Sequence, residues 1–151
     1  MAELKQRLRS DLNAAMRARD QVRMRTLRLA LTSITNEEVA GASARDLTDD
    51  EIVRILTREA RKRREAAEAF SAAGRSDRAA AERAEGDVLA GYLPAQLSDD
   101  ELAALVDAAI AETGASGMAG MGHVMKTVTP RVAGRADGAR VAAEVRRRLT
   151  A

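Results

Sequence analysis

Two glycine-bracketed polar turns hold the residues best placed to do chemistry. Gly122-His123-Val124-Met125-Lys126 is followed by Gly134-Arg135-Ala136-Asp137-Gly138, and a basic helix comes next. Backbone amides in glycine-rich turns can cradle phosphate. A nucleotide-binding loop would also need a Gly-Lys-Ser/Thr ending, and the glycines at 114, 117, 120 and 122 lead into no such triplet. Covalent catalysis needs a nucleophile, a base and an oxyanion hole. The chain has no Cys, and Ser116 stands beside Gly117 with no Lys or second Ser near it in sequence. His123 is the only His, and one His with scattered carboxylates makes a poor metal centre. Asp49-Asp50-Glu51 and Asp99-Asp100-Glu101 could ligate Mg²⁺ by type, but each set falls in a first helical turn. Capping and the helix dipole account for them there. The expectation is no catalytic residue, no metal and no cofactor.

Charge segregation offers a different chemistry. The whole chain has 25 basic and 23 acidic residues, so any polyanion argument must be local. Residues 1–28 hold eight basic groups against three acidic, and residues 54–64 hold six against one. Residues 99–112 hold five acidic groups and no basic ones. Residues 123–151 hold seven basic groups (Lys126, Arg131, Arg135, Arg140, Arg146, Arg147, Arg148) against Asp137 and Glu144. Basic faces of this kind can meet RNA phosphates, each one adding salt-dependent affinity. They can equally be solvated helix faces paired locally, as the i,i+4 spacing of Arg61 with Glu65 and of Arg64 with Glu68 suggests. For the first three helices the local-pairing reading is favoured. Only Phe70 and Tyr92 are aromatic, which argues against a base-stacking platform.

The elements that must position these residues read as helices throughout. A first helix is predicted from about Glu3 to Ala18, with Leu4, Leu8, Leu12 and Met16 as its apolar stripe. Asp20 caps a second helix with Met24, Leu27, Leu31 and Ile34 inward. Thr48-Asp49-Asp50-Glu51 is a capping box opening a long third helix to about Ala73, with Leu47 and Ile52 as its hydrophobic staple. Gly74 is the expected C′ residue and Ser76 the next N-cap. A fourth helix would carry Ala81, Ala84, Val88 and Tyr92 on one face. Pro94 is the best domain boundary, since Pro disfavours α geometry before it. Ser98 to Glu101 repeats the capping box for a fifth helix (Leu102, Leu105, Val106, Ala109, Ile110) that ends at Gly114. The sixth helix offers Met121, Val124, Met125 and Val128, and Pro130 interrupts or closes it. Met118, Met121 and Met125 are expected in the core. Asp137 caps a seventh helix with Val141, Val145 and Leu149 inward, and Gly134 and Gly138 bracket the tight turn before it. No alternating β-branched segment appears, so the fold class is all-α. No apolar run approaches the ~20 residues of a membrane span, and the N-terminus lacks an apolar signal core. A cytoplasmic protein without membrane contact is expected.

Five fragments in this order resemble the YqeY family across essentially the whole chain. They are Lys62-Arg63-Arg64-Glu65-Ala66, Tyr92-Leu93-Pro94-Ala95-Gln96-Leu97-Ser98, Glu112-Thr113-Gly114-Ala115, Met121 to Met125, and Gly134 to Gly138. The family comprises small stand-alone bacterial proteins related to the C-terminal tail of the GatB subunit of the tRNA-dependent amidotransferase. The resemblance implies an N-terminal helical bundle over 1–93 and a small GatB-tail-like helical domain over 94–151. In the amidotransferase that tail engages the body of the tRNA. Domains appended to some glutaminyl-tRNA synthetases carry the same implication. The resemblance therefore implies a tRNA-binding accessory protein, and the residue inventory adds that it has no catalytic site of its own; a monomer is expected. Lys126, Arg131, Arg135 and Arg140 would be its main phosphate contacts. His123 would be peripheral, because stand-alone members usually place a Lys there and an imidazole carries less charge at neutral pH. Amidotransferase subunits or an aminoacyl-tRNA synthetase are further implied partners. A second reading is a component of a carbon–nitrogen ligase with glutamine as amido-N-donor. A third is an adaptor that works through the Ala-rich half of the third helix.

Overall fold

A computed structural model describes residues 2–151. They form seven α-helices: α1 (Glu3–Ala18), α2 (Gln21–Glu38), α3 (Asp49–Ala72), α4 (Ser76–Ala90), α5 (Asp99–Thr113), α6 (Met121–Val132) and α7 (Gly138–Leu149). A single 3-10 turn, Met118–Gly120, precedes α6, and no strand occurs among the described residues. Contacts divide the chain into two compact units, Met1–Leu93 and Pro94–Ala151.

Local grammar starts most of these helices. The Asp20 carboxylate accepts from the Arg23 amide at 3.1 Å. Thr48 and Glu51 exchange the two bonds of a capping box, at 3.2 and 2.9 Å. Ser98 and Glu101 do the same at 3.1 and 3.0 Å. Each such cap is worth about 1 kcal/mol. The start of α1 is different. Its N-cap is Ala2, which has no side chain to offer, and Asp49 of α3 accepts from the Leu4 amide at 3.1 Å instead.

In the first unit, α2 returns along α1 so that Lys5 in the first turn of α1 meets Glu38 in the last turn of α2. Leu8, Leu27, Ala30, Ile34, Ile52, Ile55, Leu56, Leu89 and Tyr92 build the core, and Leu47 closes it above Ile52. Met16 does not join them and is 46% exposed. A four-residue step overshoots the 3.6-residue turn by about 40°, so a stripe of fours drifts off the core face within three steps. Ala15 takes its place. At the far end of α3, Gly74 adopts φ +74° and the Arg75 amide reaches back to the Phe70 carbonyl at 2.8 Å. That closure makes Arg75 the residue entering α4, so Ser76 is helical and does not cap.

The buried residues of α4 are Ala79, Glu85 and Leu89; of the predicted face, Ala81 is exposed, Ala84 and Val88 are half-buried, and Tyr92 is buried just beyond the helix end. Ala79 is fully buried, and charge sets the rest of the face. Glu85 is drawn in by Arg25 of α2 (2.8 Å) and Arg63 of α3 (3.6 Å). Arg63 also reaches Glu59 and Glu82, so charge as well as apolar contact joins α2, α3 and α4.

In the second unit, α5, α6 and α7 enclose Leu102, Val106, Ala109, Val124, Val128, Val132, Val141, Val145 and Leu149, with Leu97 and Ala136 at the margin. Pro130 neither interrupts nor closes α6; it lies inside the last turn. It forfeits one amide there, at an exposed position. Met118 is 46% exposed rather than core, while Met121 and Met125 are partly buried. What holds the loop before α6 is Gly120, where a Cβ would stand only 2.6 Å from the Cβ of Ala115. Gly134 has φ +78°, but Gly138 is the first helical residue of α7. No helix among the described residues is long and apolar enough to cross a membrane.

Candidate nucleic-acid interface

The predicted contact residues all lie on or beside α6 and the start of α7. The inner side of α6 is the valine line Val124, Val128 and Val132. Its outer side carries His123 and Lys126, three residues apart and therefore on one face. Both are exposed, and neither side chain has a hydrogen bond or ion pair among the described residues. No Asp or Glu occurs between Glu112 and Asp137, so α6 and the turn before it are free of carboxylates.

The three arginines are placed differently. Arg131, in the last turn of α6, is paired with Glu112 of α5. Arg135 folds back onto the C-terminus of α6, donating to the Val132 carbonyl at 3.1 Å and the Arg131 carbonyl at 2.7 Å. It thereby caps carbonyls that have no partner within the helix, at the negative end of the dipole. Its own carbonyl accepts from the Leu97 amide at 2.8 Å. Arg140, in the first turn of α7, donates to Asp99 of α5 at 2.8 Å. The turn from Gly134 to Gly138 is not an open anion nest. The Asp137 carboxylate accepts from the Arg140 amide at 2.9 Å, and so occupies the N-terminus of α7 where an anion would sit.

The remaining cations of α7 divide in the same way. Arg147 and Arg148 bind Glu144, at 2.8 and 3.0 Å, and Arg148 also reaches Asp107 of α5 at 3.3 Å. The Arg147 bond, ahead of Arg148, holds the Glu144 carboxyl below the usual carboxylate range. Glu101 is also lowered, first by the Ser98 amide and hydroxyl of its capping box and last by the charge of Arg135. Arg146 is exposed and has no partner among the described residues. It belongs with Lys126 as an available cation. The sequence signal was only the run Arg146-Arg147-Arg148, which does not say which of the three finds a carboxylate.

In the first unit, local pairing accounts for much of α3, where Arg61 lies 3.9 Å from Glu65 and Lys62 lies 3.3 Å from Glu59. It does not account for Arg9, Arg17, Arg19 and Arg28. These four are exposed and have no ion pair among the described residues. Arg9, Asn13 and Arg17 recur every four residues along α1, so α1 offers a second basic line that the spacing alone did not single out. Among the described residues, no three His, Asp or Glu side chains gather into a group that could hold a metal ion.

The family model described as Yqey-like protein matches residues 5–149. No curated protein matches the chain.

Proposed function

This chain belongs to the YqeY family, and from that premise we propose that it is a tRNA-binding accessory protein that contacts RNA phosphates through its second unit. One observation carries the reading: the outer face of α6, with exposed and unpaired His123 and Lys126, in a stretch without carboxylates. A helix face of this kind meets a phosphate backbone without first surrendering an internal ion pair. Shape and backbone contact suit a folded RNA, and the scarcity of aromatic side chains fits that better than a single strand with splayed bases. Arg146 adds a second available cation beside Lys126, while Arg131 and Arg140 join only by exchanging their carboxylates for phosphate.

The test is binding of labelled tRNA followed against salt. The free cations alone give a logarithmic salt slope on the order of −2, and each arginine that exchanges its carboxylate for phosphate adds about one. Lys126→Glu is an exposed change, so the fold should survive, as circular dichroism will check. It should weaken binding roughly tenfold and flatten the slope by about one. Wild-type affinity no better than that of an acidic control protein, or a Lys126→Glu variant that binds like wild type, refutes the proposal.

A further inference from the structure

The five carboxylates of α5 and the arginines of residues 131–148 are segregated in sequence but matched in space. Asp99 holds Arg140 at 2.8 Å, Asp107 holds Arg148 at 3.3 Å, and Glu112 holds Arg131. Glu101 belongs to the capping box and feels the charge of Arg135. Asp100 alone is exposed with no partner among the described residues. The three pairs are at the surface, the carboxylate side chains being 97%, 52% and 55% exposed for Asp99, Asp107 and Glu112. Exposed pairs of this kind add little to stability. Arg140 and Arg131 are therefore each held by a bond that another anion can replace, while Arg148 keeps Glu144 at 3.0 Å when an anion takes the place of Asp107.

We propose that Asp99, Asp107 and Glu112 are specificity-determining residues: they act as internal stand-ins for phosphate and restrict the surface to multivalent phosphate chains. The proposal rests on the RNA reading for the natural ligand, but its chemistry is that of any phosphodiester or phosphoanhydride chain. A lone phosphate that binds Arg140 displaces Asp99 and trades one ion pair for another, with little net gain. A chain of phosphates displaces several carboxylates in a single binding event. The second and third exchanges are then intramolecular, and each releases counterions from the chain. The carboxylates thus raise the threshold against nucleotides and inorganic phosphate and leave a long backbone able to bind.

Asp99 and Asp100 provide an internal control. They are neighbours in the first turn of α5, and an Asn at either position removes the same charge. Only Asp99 holds an arginine. The experiment measures binding of inorganic polyphosphate and of tRNA to full-length wild type, Asp99→Asn, Asp100→Asn, and Asp99→Asn in an Arg140→Gln background. Asp99→Asn should bind both probes about three- to fivefold tighter at an unchanged salt slope, since the chain contacts Arg140 in both forms. Asp100→Asn should change little, and the gain should vanish when Arg140 is also replaced. Equal gains for the two Asn variants would mean bulk charge alone and would overturn the inference. A polyphosphate response confined to Asp99→Asn, with no tRNA bound by any form, would uphold the exchange mechanism and refute the RNA reading. No binding of either probe by wild type or Asp99→Asn refutes both.

Discussion

Lys5 and Glu38 form the most enclosed ion pair of the first unit, and its removal has a calculable signature. The Lys5 ammonium lies 2.8 Å from both carboxylate oxygens of Glu38, and the two side chains are 8% and 12% exposed. Lys5→Met keeps the packed stem and deletes the charge. Breaking a buried pair from one side costs about 3–5 kcal/mol, because the remaining charge is stranded. Lys5→Met should therefore destabilise the first unit by about 3 kcal/mol. The double variant Lys5→Met/Glu38→Leu strands nothing and should return to within about 1 kcal/mol of wild type. Urea unfolding at pH 7 measures this. Tyr92 is the only Tyr, no Trp is present, and Tyr92 belongs to the first unit, so its emission reports that unit alone. Additive losses in the double variant would show that the pair does not control the stability assigned to it.

Tyr92 itself should titrate late. Burial first, and then the bond to Asp11 at 2.6 Å, pushes its hydroxyl up to about 12. Stability from this group is present below the ordinary value near 10 and lost as pH rises towards 12. Absorbance titration of this single Tyr should give a midpoint well above 10, and a midpoint at 10 while helical circular dichroism persists contradicts the buried geometry. At the acid end, Arg45 first and the Thr48 amide second hold the Glu51 carboxyl down at about 2. Its contribution is present above pH 4.5 and lost as pH falls from there towards 2. Urea midpoints should thus decline across that window, and less steeply in Glu51→Gln; parallel declines would remove Glu51 from the account. Gly120→Ala should destabilise the second unit by about 1–3 kcal/mol, since the new Cβ would overlap Ala115. An unchanged melting temperature would mean the loop gives way freely.

Much of the fold was legible because its signals act over a few residues. Both capping boxes, the Asp20 and Asp137 caps and the Gly114 terminus operate within one helical turn, and each lies where the sequence predicts. The valine lines of α6 and α7 were equally legible, because helical period alone aligns them. Periodicity misread α4, since the residue that turns inward there is a glutamate, and apolar pattern carries no information about a charge that finds two arginines elsewhere. Of the candidate interface, sequence identified the basic tail but could not tell available cations from committed ones. Lys126 and Arg131 look alike in the sequence; one faces solvent alone and the other holds Glu112.

The sequence by itself determined where α2, α3, α5 and α7 are capped, that the chain is all-α, and the segregation of acid in α5 from base in α6 and α7. Caps, turns and period are settled by neighbours within about four residues. The tertiary structure decided which charges remain to meet a partner. The partners that matter are far apart in the chain: Asp49 caps α1 across 45 residues, Glu38 meets Lys5 across 33, and Asp99 meets Arg140 across 41. Such pairs exist only once packing has brought separate helices within the few ångströms over which a hydrogen-bonded ion pair acts.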